Sequence, residues 1–114
     1  MEFDKYIIND NQLIEQAIEV IEMNNSRCVI LVNAQKKVVG VLSEGDILRA
    51  ILKGVSIKSP AKNVMITGFK YLVDKDEAKI MEWFKKGITL IPILEDNYTL
   101  KDIIVFTEYF DGKK

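Results

Sequence analysis

Val38-Val39-Gly40-Val41-Leu42-Ser43-Glu44-Gly45-Asp46-Ile47-Leu48-Arg49-Ala50-Ile51-Leu52 is the stretch whose reading decides the fold. Val38 to Leu42 is an apolar run rich in β-branched residues and of strand length. Ile47, Leu48, Ile51 and Leu52 then recur at helical spacing. Ser43-Glu44-Gly45-Asp46 joins the two and gathers a hydroxyl, a carboxylate and unpaired helix-start N–H groups at one mouth.

Upstream, Cys28 to Val32 is an unbroken apolar run, the pattern of a strand covered on both faces. The polar turn Asn33 to Lys37 makes it a hairpin partner of Val38 to Leu42. Further back, Leu13, Ile14, Ala17, Ile18 and Ile21 form one face of a helix from Gln12 to Asn24. The break Asn9-Asp10-Asn11 supplies its N-cap, and Tyr6-Ile7-Ile8 reads as a short strand. Downstream, Gly54 is a C′ glycine for the helix over 44–53. Ser59-Pro60 opens a short helix through Met65, and Gly68 breaks the chain.

The second half repeats this order. Phe69 to Val73 reads as a strand, Asp74 and Glu77 as a capping pair, and 75–86 as a helix carrying Ile80, Met81, Trp83 and Phe84. Gly87 closes that helix; strands at 90–94 and 98–106 follow, the latter interrupted by Lys101-Asp102. A last helical turn is expected at 107–110 and a frayed end at 111–114. Shifting by 62 residues lays Asn25 on Gly87, Ile30 on Pro92, Asn33 on Glu95 and Gly40 on Asp102. Such self-similarity is architectural. The expectation is an α+β single domain of two strand-helix-strand-strand-helix units, about 1–54 and 69–114, with connector 55–68 and a cleft between the units. The last helix of the second unit is truncated.

Composition narrows the chemistry. The chain has 114 residues, a net charge of −1 and no excess of Lys and Arg, which argues against nucleic acid as a partner. No apolar run is long enough to span a bilayer, and one cysteine cannot form an internal disulfide, so a cytoplasmic location is expected. Histidine is absent, which removes the commonest general base and metal ligand. No catalytic constellation and no metal set stand out, so the chain reads as a non-enzyme.

The first unit resembles a CBS motif, and the whole chain resembles a tandem pair of such motifs, a Bateman module. The resemblance rests on Cys28 to Asn33, on Val39-Gly40-Val41-Leu42-Ser43-Glu44-Gly45-Asp46-Ile47, and on Leu90-Ile91-Pro92-Ile93-Leu94-Glu95. It implies a regulatory module that takes an adenosine-containing ligand (AMP, ADP, ATP or S-adenosylmethionine) in the cleft and controls an attached or partner enzyme. By position it implies Asp46 for the ribose hydroxyls, Ser43 near the phosphate, and Ile7, Cys28, Val29 and Ile30 around the base. Gly45 would let a ligand approach the backbone. The family also implies homodimers, so a ligand-free dimerisation module is the alternative. The stretch from Gly40 to Met65 is similar to CBS pairs that precede sugar-phosphate nucleotidyltransferase domains.

Each residue has a plainer reading. Ser43-x-x-Asp46 is also a helix capping box. Cys28 on an apolar strand is also a small core hydrophobe. Arg49 reads as part of a solvated helix face or as a phosphate contact. In the second unit Asp102, Val105 and Glu108 stand where the first has Gly40, Ser43 and Asp46, so at most one nucleotide site per chain is expected.

Overall fold

The computed structural model describes residues 3–109. After a 3-10 turn at Asp4–Tyr6 come β1 (Ile7–Asn9), α1 (Ile14–Asn24), β2 (Cys28–Val32), β3 (Val38–Ser43) and α2 (Glu44–Leu52). A 3-10 turn at Ala61–Asn63 leads to α3 (Glu77–Lys85), β4 (Leu90–Leu94), β5 (Leu100–Val105) and the short α4 (Phe106–Tyr109). One sheet has the order β1-β2-β3, with β1 parallel and β3 antiparallel to β2; the other is the antiparallel pair β4-β5.

The 62-residue repeat survives at the level of single pairs. Cys28 faces Ser43 as Leu90 faces Val105, and Ile30 faces Val41 as Pro92 faces Ile103. Each hairpin skips one residue: Val39 between the Gly40 and Val38 pairings, and Lys101 between those of Asp102 and Leu100. A bulge of this kind turns the strand's alternation over. The left-handed positions match too, Asn25 with Gly87 and Lys36 with Tyr98.

Three apolar cores explain the unbroken apolar strands. Val29, Leu31 and Leu42 pack against Ile14, Ala17, Ile21 and Ile47 of the two helices. The opposite face of the same sheet, with Ile30, Val32 and Val38, packs against Leu90, Leu94, Ile103 and Val105 of the other sheet. The far face of that sheet, with Ile91, Ile93 and Ile104, packs on Ile80, Trp83 and Phe84. The order is therefore helices, sheet, sheet, helix. Each buried branched side chain contributes roughly 1.5–3 kcal/mol, so the middle core binds the halves to one another. The hairpin tips also touch: the Val38 N–H donates to Tyr98 O at 2.9 Å.

Several local expectations change. The segment 69–73 is not a strand; only Leu72 bridges, in parallel, to Ile93. The Leu72 N–H donates to Pro92 O and the Leu94 N–H to Leu72 O. The next rung toward Lys70 needs an N–H from residue 92, which proline lacks. At the equivalent place Ile30 keeps its N–H, and β1 forms. Helix α1 is capped at Leu13, with the Gln16 side chain accepting the Leu13 N–H, rather than from Asn9-Asp10-Asn11. Helix α3 is capped by Asp76, which accepts the Lys79 N–H, rather than by Asp74. The short helix expected through Met65 is a single 3-10 turn. The last helical turn expected at 107–110 is α4 as far as Tyr109; residue 110 and the frayed end expected at 111–114 lie outside the described residues. No helix among the described residues is long and apolar enough to cross a membrane.

Candidate functional site

Strand β3 delivers Ser43 to the start of α2, where its extended backbone makes it the N-cap. The Asp46 N–H donates to Ser43 Oγ at 3.1 Å. Asp46 Oδ2 in turn accepts the Ser43 N–H at 3.0 Å and the Ser43 hydroxyl at 2.8 Å. This is a reciprocal capping box. Asp46 Oδ1 accepts from Arg49 Nη2 at 2.8 Å. Burial works to raise the Asp46 pKa, but the Ser43 hydrogen bonds and the Arg49 guanidinium outweigh it and hold the carboxyl below its usual value. The plainer reading of Ser43 and Asp46 is thus realised in the structure.

It does not exhaust the carboxylate. Two oxygens offer about four lone-pair sites, and Ser43 and Arg49 take three. The Arg49 side chain is 66 % exposed, so its pairing with Asp46 is weak and easily exchanged. A Cβ on Gly45 would lie 3.3 Å from both terminal nitrogens of Arg49. Gly45 therefore makes room for this guanidinium to fold over the helix start.

Two pockets flank the joint. Ser43 lines one of about 250 Å³, with Cys28 and Val41 from the first sheet and Phe69, Lys70 and residues 87–90 from the second half. It is a cleft between the halves. Its walls are apolar at Cys28, Val41, Phe69, Ile88 and Leu90 and polar at Ser43, Lys70 and Thr89; the Lys70 ammonium lies over the Trp83 ring, 5.9 Å from its centroid. Asp46 lines the other pocket, about 240 Å³, with Arg49, Lys53, Val64 and Ile66. The Ser43–Asp46 hydrogen bond links the two pockets, and Ile66 pairs with Val41 along the edge of β3. Gly40 admits this close approach, since a Cβ there would lie 2.7 Å from Met65 Sδ and 3.0 Å from Ile66 O.

Of the residues expected around a base, Cys28 reaches the cleft. Its thiol is pushed up to about 12 by burial, so it is an inert wall. Val29 and Ile30 are wholly buried, in the helix-facing core and the inter-sheet core respectively, and line neither pocket. Ile7 lines a separate cleft. Phe69, Lys70 and Thr89, which no local motif singles out, also line the cleft beside Ser43. Phe69 is the counterpart of Ile7 in the repeat, so the opening segment of the second half supplies one wall of the cleft beside Ser43.

The second joint carries different partners. Val105 is buried, and Glu108 Oε2 accepts the Tyr6 hydroxyl at 2.7 Å, with Lys5 Nζ at 3.6 Å. Burial first, and then Glu108, push the Tyr6 phenol up to about 12. No cluster of His, Cys, Asp and Glu able to hold a metal occurs among the described residues.

Residues 2–53 match the family model of the CBS domain. A 46-residue stretch is 52 % identical to an uncharacterised protein of Helicobacter pylori, covering 39 % of this chain and 14 % of that protein. The CBS domains of a transcriptional regulator from Streptococcus pneumoniae superpose with a TM-score of 0.77 at 15 % identity, covering 97 % of this chain and 92 % of that one. A CBS domain protein from Pyrobaculum aerophilum complexed with AMP gives a TM-score of 0.72 at 20 % identity, covering 90 % and 80 %.

Proposed function

Residues 2–53 are a CBS domain and the chain has the fold of a CBS domain pair; from that premise we propose that it is a regulatory module binding an adenine nucleotide at the Ser43–Asp46 joint. The observation that carries the proposal is the pair of neighbouring pockets linked by the Ser43–Asp46 hydrogen bond: an apolar one between the halves, lined by Ser43, and one lined by Asp46, Arg49 and Lys53. The base lies against Cys28, Val41 and Phe69. The ribose hydroxyls donate to Asp46, and the phosphate meets Arg49, Lys53 and the N-terminus of α2. The AMP complex of the Pyrobaculum aerophilum relative supports this ligand class. The ligand touches residues from about 1–54 and from 69–114, so binding biases their relative orientation by its differential affinity. The output is control of an attached or partner enzyme in the cytoplasm, a sugar-phosphate nucleotidyltransferase being the candidate the sequence resembles; the module itself performs no catalysis.

Isothermal titration with AMP, ADP, ATP and S-adenosylmethionine tests the reading, with Asp46→Asn and Lys70→Ala as variants. Saturable binding to one of these ligands, weakened about tenfold or more in Asp46→Asn, is expected. No heat with any of them, or unchanged affinity in Asp46→Asn, overturns it.

A second reading rests on a different face. Ile18, Leu48, Ile51 and Leu52 of α1 and α2 are 37 %, 62 %, 43 % and 86 % exposed, and the groove between the two helices is largely apolar. This face suits a homodimer, with or without ligand. Sedimentation of the wild type against Leu48→Glu distinguishes dimer from monomer.

A further inference from the structure

The repeat has one place where its halves differ sharply in volume. In the second half Phe69, Tyr71 and Tyr98 pack ring to ring, with centroids 5.6 Å and 5.7 Å apart. The two tyrosine hydroxyls lie 3.3 Å apart. Shifted by 62 residues, these positions are Ile7, Asn9 and Lys36. Where the second half has three rings, the first has a branched aliphatic, an amide and a flexible ammonium. A cleft of about 460 Å³ opens there, larger than either pocket beside Ser43 and Asp46. That volume lies within the usual range of small-molecule sites, about 300–1,000 Å³.

The cleft is distinct from the proposed nucleotide site. Lys36 sits in the β2–β3 hairpin, whereas Ser43 ends the six-residue β3. At about 3.3 Å per residue the two are separated by roughly the length of that strand. Neither Ser43 and Asp46 nor Val105 and Glu108 line it. Its apolar walls include Phe3, Ile7 and Leu100; its polar groups include Asp4, Asn9 and Lys36. Lys36 makes no salt bridge within the described residues.

We propose that this cleft is a second ligand site, and that it takes a planar aromatic group bearing one anionic substituent. The ring occupies the volume that the two tyrosine rings fill in the other half, with Phe3 offering an edge or face at the usual aromatic separations. The anion pairs with the Lys36 ammonium beside the Asn9 amide. Asp4 repels an anion and so gives the ligand one orientation. Val32 and Leu100 of the same wall belong to or pack on the inter-sheet core, so a ligand here bears on the same packing that joins the halves.

Amide-resolved NMR titration of the full chain tests this, with naphthalene-2-carboxylate and GMP as separate arms. The two arms distinguish a free aromatic carboxylate from a nucleotide. Cyclohexanecarboxylate is the non-planar control, and AMP reports on the Ser43–Asp46 site. Saturable shifts at the Asn9, Lys36 and Thr99 amides are expected in at least one arm, with binding about tenfold weaker for the control and in Lys36→Gln. The double variant Asn9→Tyr/Lys36→Tyr installs the rings of the other half, and Tyr98 already adopts the left-handed backbone of Lys36. It is expected to abolish those shifts while leaving AMP shifts at Ser43 and Asp46 in place. No saturable shift at these amides in either arm overturns the proposal. So does undiminished binding in Lys36→Gln, or a double variant that melts higher than a wild type which bound neither probe, the behaviour of a mere packing gap. Failure of the AMP arm alone bears on the nucleotide reading and leaves this one standing.

Discussion

Asp46→Asn separates the capping role of the carboxylate from everything else it touches. The amide keeps an acceptor oxygen for the Ser43 N–H and hydroxyl, which reach Asp46 at 3.0 Å and 2.8 Å, but it loses the charge. Charge-assisted hydrogen bonds are roughly twice as strong as neutral ones, so about 1 kcal/mol is lost there. A negative charge in the first turn of a helix adds about 0.3–1 kcal/mol. The Arg49 pair adds little, because that side chain is 66 % exposed. The total is about 1–2 kcal/mol, or roughly 4–8 °C in melting temperature for a domain of this size. The pH dependence follows from the sign of the shift. The folded-state pKa is lowered, so the stabilisation is present above the unfolded value of about 3.9 and is lost as pH falls through the folded value. Thermal melts of wild type and Asp46→Asn are therefore expected to differ at pH 7 and to converge in acid. Equal melting at neutral pH, or a gap that persists undiminished well below the carboxylate range, refutes the assignment.

Other perturbations have equally defined outcomes. Gly40→Ala places a methyl 3.0 Å from the Ile66 carbonyl and closer still to Met65; it should cost about 1–3 kcal/mol in urea unfolding, and a neutral effect would contradict the close approach. Tyr6→Phe removes the donor to Glu108 and should cost about 1 kcal/mol. The Tyr6 phenol is raised from its model-compound value of 10.0 to about 12, so its contribution is full below about 10 and is lost as pH rises toward 12. Spectrophotometric titration should show a component ionising near 12 that Tyr6→Phe removes, while the Tyr71 phenol, raised by its hydrogen bond with Tyr98, still ionises late. The Cys28 thiol, pushed up to about 12, should react with a disulfide reagent at neutral pH only slowly until the chain is unfolded in urea; fast native labelling would contradict its burial.

The legible part of the fold was local. The strand and helix at 38–52, the hairpin before them and the repeat are written in runs, turns and spacing that need only neighbours a few residues away. The repeat proved tighter than the motifs, reaching the bulges at Val39 and Lys101. The misread places were those where a distant partner or a missing donor decides. Residues 69–73 have strand propensity, but the lack of an N–H at Pro92 leaves a single bridge at Leu72. Asp74 and Asp76 are equally good caps by type, and the helix start chose Asp76. The polar half of the candidate site, Ser43 and Asp46, was visible because hydroxyl, spacing and carboxylate lie on one contiguous joint. Of its expected apolar residues only Cys28 lines the cleft beside Ser43, because the wall opposite comes from Phe69 and Lys70 of the other half, a long-range pairing that local spacing does not encode.

The two-unit order, the polar pair at 43 and 46 and its absence at 105 and 108 can all be read without a structure. Those are properties of residue type and short spacing. Packing settles which face of β2 meets the helices and which the second sheet, because both faces are apolar. It also decided how the Ser43–Asp46 joint is used in the folded chain. Both carboxylate oxygens of Asp46 are already engaged, by Ser43 and Arg49, and the pocket is completed by a segment that the backbone brings across from the other half.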